Sequence, residues 1–224
     1  MIRVIVFDFD GTLYDTRQDI ADAVNFARRH FGLPELTLEE VTRMVGWGVQ
    51  RLAEQAFAGT GVPVEEGLAK IMEYYSAHPG DKAILYPGVR ETLPRLPKPR
   101  VIVSNKPVAL IRSMLEQAGL ADEFDLVLGG DSFSVRKPDP FLIRYLQARY
   151  NVATDEILVV GDHAPDIEMA RRAGCPSVFC RYGFFGTDEV GADYTIERFA
   201  ELPFILETLN AAQRDELPSK GGIH

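Results

Sequence analysis

The sequence predicts an α/β fold, a doubly wound, mostly parallel sheet with an all-helical segment inserted into it. Three observations predict it. Short runs at 4–7, 101–103, 126–128, 157–160 and 177–180 are apolar throughout rather than alternating, the pattern of strands covered on both faces. Helix-like stretches at 108–118 and 140–150 separate successive runs and imply right-handed crossovers between parallel strands. Four of the runs stop at polar or glycine residues: Asp8, Ser104-Asn105, Gly129-Gly130-Asp131 and Gly161-Asp162. Sheets of this kind bind ligands outside the carboxyl ends of their strands.

The elements follow in chain order. Val4-Ile5-Val6-Phe7 is β-branched and aromatic and is bounded by the turn residue Gly11, so it reads as a buried first strand. From Thr16 to Tyr86 the pattern changes to helical spacing, with no strand signal. Ile20, Ala23, Val24 and Ala27 share one face of a helix over 17–31. Thr37 followed by Glu40 has the spacing of a capping box opening a second helix, and 49–58 and 64–77 suit two more. The chain returns at Tyr86-Pro87-Gly88. The expected division is therefore an α/β core from 1–15 and 86–214, a helical cap at 16–85, and a solvated, flexible tail at 215–224.

Composition narrows the function. The chain has 224 residues, 46% hydrophobic and 25% charged, which suffices for one large domain or a domain with an insertion. A formal net charge of -9 argues against nucleic acid, which requires basic stripes to neutralise phosphates. An anionic small molecule remains compatible, because a metal and a lysine can dominate one pocket. Two cysteines, Cys175 and Cys180, make a disulfide scaffold unexpected and fit a reducing cytoplasm. No run is long and apolar enough to span a bilayer, and the N-terminus lacks a signal-peptide pattern.

The most informative feature is the acidic pair where the first strand ends, Asp8-Phe9-Asp10-Gly11-Thr12. Like charges buried side by side are costly unless a cation or a shared proton compensates, and a hard divalent metal is the simplest compensation. Three further clusters fall at strand ends or helix starts: Ser104-Asn105, Lys137 within Arg136-Lys137-Pro138-Asp139-Pro140, and Asp162 with Asp166 in Gly161-Asp162-His163-Ala164-Pro165-Asp166. Carboxylates can hold magnesium, while a hydroxyl, an amide and an ammonium can hold phosphate oxygens. That division suits phosphoryl transfer, in which positioning and charge stabilisation supply most of the acceleration. Alone, Ser104-Asn105 reads first as a turn and helix cap and Lys137 first as a surface lysine, while Asp162 with Asp166 is equally a capping pair. Together, in this order, they form a coherent site.

These four clusters resemble the haloacid dehalogenase superfamily of phosphohydrolases, whose motifs are a strand ending in Asp-x-Asp-Gly-Thr, a strand ending in Ser or Thr, a lysine often before Pro-Asp-Pro, and Gly-Asp-x-x-x-Asp. Gly46-Trp47-Gly48 with Leu52-Ala53, Tyr86-Pro87-Gly88-Val89 and Ser104-Asn105-Lys106-Pro107 are similar to the phosphoglycolate phosphatase-like branch. The resemblance implies a Rossmann-like core with a helical cap and a magnesium-dependent phosphatase acting through a phospho-aspartate. It implies Asp8 as nucleophile and Asp10 as general acid and base. The implied metal ligands are Asp8, Asp162 and the backbone carbonyl of Asp10, with Asp166 orienting a bound water or Lys137. Thr12, Ser104, Asn105 and Lys137 would bind the substrate phosphate, Lys137 would also balance charge, and Thr12 would also favour the nucleophile turn and position Asp10. His163 departs from the family pattern, standing where a small hydroxyl residue is common. The expected partner is a small phosphorylated metabolite, with 2-phosphoglycolate first among candidates, and the expected assembly a monomer or homodimer. Trp47 suits either a specificity loop or an anchor between helices, and Arg51 either a substrate carboxylate or a solvated helix face. The same residues leave open a sugar-phosphate mutase, a pyrophosphatase or nucleotidase, and a phospho-accepting signalling module.

Overall fold

The computed structural model describes residues 1–186 and 190–215. It begins with β1 (Val4–Phe7), all of it buried. A short β2 (Tyr14–Asp15) leads into α1 (Arg17–His30), α2 (Leu38–Thr42), α3 (Val49–Ala56) and α4 (Val64–Ala77). The chain returns through β3 (Ile84–Leu85) and α5 (Val89–Thr92) to β4 (Arg100–Val103) and α6 (Val108–Gln117). Then come β5 (Leu126–Leu128), α7 (Phe141–Tyr150), β6 (Ile157–Gly161), α8 (Ala164–Ala173), β7 (Ser177–Cys180), β8 (Tyr194–Ile196) and α9 (Leu202–Asp215). From 216 onward the expected tail lies outside the described residues.

Six strands make one parallel sheet in the order β5-β4-β1-β6-β7-β8. The order reverses at β1, so the crevice beyond its carboxyl end is the topological switch point. The continuous apolar runs have their physical explanation here. Ile5, Phe7, Ile102, Leu158 and Val160 enter one hydrophobic cluster, while Val4, Val6, Val101, Val103, Ile157 and Val159 enter a second. Side chains alternate between faces, and helices cover both faces, so the central strand positions are apolar on both sides.

Residues 17–77 form helices around a third cluster, in which Ile20, Ala23, Val24 and Ala27 of α1 meet Val41, Leu52, Phe57 and Ile71. Leu110 of α6 joins that cluster and links it to the α/β part. The capping box expected at Thr37 forms: Thr37 Oγ1 accepts from the Glu40 amide, and the Glu40 carboxylate accepts from the Thr37 amide. Arg28 stitches the helices, donating to Pro34 O at 2.7 Å and to Ala56 O.

Between Thr16 and Tyr86 the sequence shows no strand signal, yet Ile84–Leu85 pairs antiparallel with Tyr14–Asp15. The two chain passages joining the helices to the sheet are thereby zipped together. A pair of two-residue strands draws its stability from its neighbours, not from its own pattern, which is why it escapes a reading of periodicity.

Candidate active site

β1 ends one residue before Asp8, whose amide still donates to Val160 O at 2.9 Å, so the carboxylate sits between β1 and β6 at the reversal point. Gly11 has φ +85°, and a Cβ there would come within 2.1 Å of the Asp162 carboxylate. The turn after β1 therefore passes against the acid delivered by β6, and only glycine fits. Asp162 follows the end of β6, α8 carries Asp166, Ser104 and Asn105 follow β4, and the loop before α7 delivers Lys137.

The structure brings these residues together. Lys137 Nζ lies 2.7 Å from Asp8 Oδ1 and 2.5 Å from Asp166 Oδ1. Carboxylate oxygens of Asp8, Asp162 and Asp166 fall within 4.8 Å of one another, and all three residues are buried. Asp8 Oδ1 also accepts from the Phe9 amide at 2.7 Å. Asp162 accepts from Thr12 Oγ1 at 3.1 Å and from the Phe184 amide at 2.8 Å. Asp166 Oδ2 accepts from the His163 amide at 3.1 Å, within the first turn of α8, where negative charge is favoured.

Three carboxylates against one ammonium leave an excess of two negative charges when all are ionised. Burial, then the Asp166 charge, pushes Asp8 above the usual carboxylate range against the pull of Lys137. Burial, then Asp8 and Asp166, pushes Asp162 well above it, although Phe184 and Thr12 oppose the shift. Burial disfavours the charged form of Lys137, but Asp166 and Asp8 outweigh that cost and hold its ammonium above the ordinary lysine range. A buried, oxygen-only donor set short of two positive charges fits a hard divalent cation such as magnesium.

Asp10 points elsewhere. Its Oδ1 accepts from Thr16 Oγ1 at 2.7 Å and from Lys106 Nζ at 2.9 Å, away from the carboxylate trio. Asp8 and Asp10 would share a face if the strand continued; they meet different partners because the chain leaves β1 at Phe7 and turns at Gly11, φ +85°. Ser104 Oγ lines the same cavity and accepts weakly from the Lys106 amide at 3.4 Å. The Asn105 side chain makes a double link. Its Nδ2 donates to Gly46 O at 2.9 Å and to Lys137 O at 3.2 Å, and its Oδ1 accepts from the Lys137 amide at 3.1 Å.

Gly46, at φ +101°, packs so closely that a Cβ would come within 2.1 Å of His163 Nδ1. His163 stacks on Phe185 at 3.9 Å between ring centroids and meets Trp47 edge-on at 5.7 Å. The residue that departs from the family pattern is therefore the floor on which the loop at 46–48 rests. Trp47 is exposed on its outer side, and Arg51 lies over it at 5.5 Å, outside the cavity.

Lys106 is the site residue that motif reasoning does not assign. It is buried, pairs with Asp10, and donates to the Tyr75 hydroxyl from α4. Burial disfavours its charge, yet Asp10 and Tyr75 outweigh that and hold the ammonium above the ordinary lysine range. One sequence signal could have found it. Lysine is disfavoured ahead of a helix N-terminus, and α6 opens at Val108, so a lysine at 106 calls for a local anion. Asp131, at a strand end, does not join the site; it accepts from the Val108 amide and caps α6.

The sequence profile of the haloacid dehalogenase-like hydrolases matches residues 5–180. The chain is 35% identical over 210 residues to a phosphoglycolate phosphatase of Chromobacterium violaceum, covering 90% of this chain and 95% of the relative. It is 31% identical over 223 residues to the phosphoglycolate phosphatase of Aliivibrio fischeri, covering 95% and 98%. Its structure superposes on a predicted phosphoglycolate phosphatase from Haemophilus somnus with a TM-score of 0.87 at 29% identity, covering 92% of this chain and 98% of the other.

Proposed function

The chain belongs to the haloacid dehalogenase-like hydrolases and is a phosphoric monoester hydrolase, and from that premise we propose a magnesium-dependent phosphatase that cleaves a small metabolite, first among them 2-phosphoglycolate, through a phospho-aspartate on Asp8. The observation that carries this reading is the buried trio Asp8, Asp162 and Asp166, with Lys137 as the ammonium between Asp8 and Asp166. Among the described residues this cluster is the one group of acids placed to hold a metal ion. Asp8, Asp162 and the backbone carbonyl of Asp10 would hold magnesium, with Asp166 positioning Lys137. A bound divalent cation supplies charge neutralisation, which lets an anionic phosphate approach an anionic nucleophile.

Each step then falls to a residue of this chain. An Asp8 oxygen forms a bond to phosphorus as the ester oxygen departs, and Asp10 gives that oxygen its proton. Both hydrogen bonds to Asp10 fall on Oδ1, so Oδ2 is the atom left to exchange a proton. Asp10 next takes a proton from water, whose oxygen attacks phosphorus and restores Asp8. Ser104 holds a phosphate oxygen, Lys137 balances the charge that builds on the phosphate while the Asn105 side chain fixes the Lys137 backbone, and Thr12 fixes Asp162. Residues 16–85 act as a cap over the core of 1–15 and 86–214, hinged at the β2–β3 pair and excluding bulk water during attack.

No described helix is long and apolar enough to cross a membrane. Both cysteines are buried and free, which supports a reducing, cytoplasmic setting. A panel of phosphate esters assayed with and without magnesium tests the proposal. Release of phosphate should require the metal and disappear in Asp8→Asn; undiminished release in that variant would refute the nucleophile.

A further inference from the structure

The cavity above Asp8 and Asp10 is apolar over much of its wall. Ile20, Val45, Val49 and Leu52 come from the helical segment, and Phe184 and Phe185 from the loop after β7. Among the described residues that line it, Lys106 is the one lysine or arginine. The other candidates are committed elsewhere. Lys137 is held between Asp8 and Asp166, Arg17 is paired with Asp15, and Arg51 lies on Trp47 outside the cavity.

We infer that Lys106 is the specificity-determining cation of this site, and that it selects phosphate esters bearing a second anionic group, a carboxylate, one or two carbons from the ester oxygen. The inference rests on the phosphatase reading above and adds to it the group that chooses the substrate.

The geometry sets both the charge and the spacing. An ammonium carries three donors. Asp10 Oδ1, at 2.9 Å, and the Tyr75 hydroxyl take two of those on Lys106. The rings of Tyr75 and Phe9 flank it, with centroids 4.4 and 5.8 Å from Nζ, so it does not swing freely. The third donor belongs to the cavity. Asp10 must reach the departing oxygen to protonate it, and Lys106 holds the same Asp10 carboxyl. Two hydrogen-bond lengths and the width of the Asp10 carboxyl, roughly 8 Å at most, therefore separate the departing oxygen from Nζ. A carboxylate on the adjacent carbon spans that gap, whereas a long spacer would carry the carboxylate past Lys106 into a cavity otherwise lined mostly by apolar side chains. Around an apolar cavity, an anion with no cation to meet it pays its full desolvation cost. Lys106 is where that cost is offset.

The test compares 2-phosphoglycolate with 2-hydroxyethyl phosphate, which exchanges the carboxylate for a neutral carbinol of similar size. Wild-type enzyme should prefer the carboxylate by about 10–100-fold in kcat/KM, the scale of one charge-assisted hydrogen bond. Lys106→Met should bring the ratio to within a few-fold of one by losing activity mainly on phosphoglycolate. Lys106→Gln keeps a donor for Asp10 and Tyr75 but removes the charge, and should do the same. It also serves if the methionine variant fails to fold. A wild-type ratio near one overturns the inference without any variant. Equal losses on both esters also overturn it, because they would make Lys106 a support for Asp10 alone. Active hydrolysis of the neutral ester with no carboxylate preference sinks this assignment and leaves the phosphatase reading standing. Absence of phosphate release from every ester sinks both.

Discussion

The strand ends of the sheet and the helical segment that faces them are built on opposite principles. At the strand ends nearly every group is charged or polar, buried and matched: Asp8, Asp166 and Lys137 form one ion cluster, and Asp162 takes donors from Thr12 and Phe184. The helical segment offers the same cavity mostly aliphatic side chains, with Tyr75 as its main polar contribution. Burial of charge tolerates few substitutions, since an unpaired buried ion costs several kcal/mol. An apolar wall tolerates many, provided volume is kept. The reaction is therefore specified tightly and the substrate loosely, by shape and one ammonium.

The largest effect should come from the strand ends. Asp8→Asn should lower kcat by about 10⁴-fold or more on every phosphate ester alike, as measured by phosphate release, because it removes the proposed nucleophile whatever the wall admits. A loss confined to some esters would break the contrast. Next is Lys137→Met, which leaves Asp8 and Asp166 facing one another without a counter-charge. Urea unfolding in the absence of metal should show a loss of about 3–5 kcal/mol.

Asp162→Asn should act in the opposite direction on stability. Burial and its acidic neighbours raise the Asp162 carboxyl well above its ordinary 3.8 in the folded chain. Between the two values the folded state binds more protons than the unfolded one. The stability associated with the protonated acid is thus complete below about pH 3.8 and is lost as pH rises through the folded value. Metal-free protein should therefore lose stability on going from acid to neutral pH. Asp162→Asn should flatten that slope and gain roughly 1–3 kcal/mol at pH 7, while abolishing the stabilisation that magnesium gives the wild type. Thermal melts across pH, with and without chelator, read both. A wild-type slope of the other sign would contradict the charge excess.

Smaller effects belong to the facing segment. Gly46→Ala places a Cβ against His163 at a positive φ, so it should lower kcat/KM about tenfold and cost about 1 kcal/mol of stability. Smallest of all, Arg51→Ala should change stability by no more than ~0.5 kcal/mol and leave the preference for 2-phosphoglycolate intact, since Arg51 is exposed on Trp47 outside the cavity. A collapse of that preference would move the specificity cation from Lys106 to Arg51.

Legibility in the sequence follows the same contrast. Val4–Phe7, Val101–Val103 and Ile157–Gly161 announce themselves because the central positions of strands covered on both faces are apolar; Arg100 opens its strand and is held by Glu123. The site acids are readable because carboxylates at the ends of such strands demand compensation. The β2–β3 pair is not, since two residues carry no period. Nor is β8, an edge strand whose Tyr194 and Thr195 are only partly covered. Leu202–Asp215 is a helix that buries Leu202, Ile205, Leu206 and Leu209, but Pro203 and a polar second half blur its signal in the bare sequence. Lys106 was hidden by its neighbours, because Ser104-Asn105 already accounts for the strand end. Its partner Tyr75 lies 31 residues away in the chain, beyond any local pattern.

The Asn105 amide has a mechanical consequence. One rotor grips Gly46 of the helical segment and the backbone N–H and C=O of Lys137 in the α/β part. Swinging the 46–48 loop outward removes one of the acceptors that orient the amide, and the same plane loses part of its hold on the chain bearing the ammonium. Were the proposed cap to open, these shared contacts would make an interlock: the loosened door would slacken the tool behind it, and water admitted without cargo would meet a machine not fully assembled.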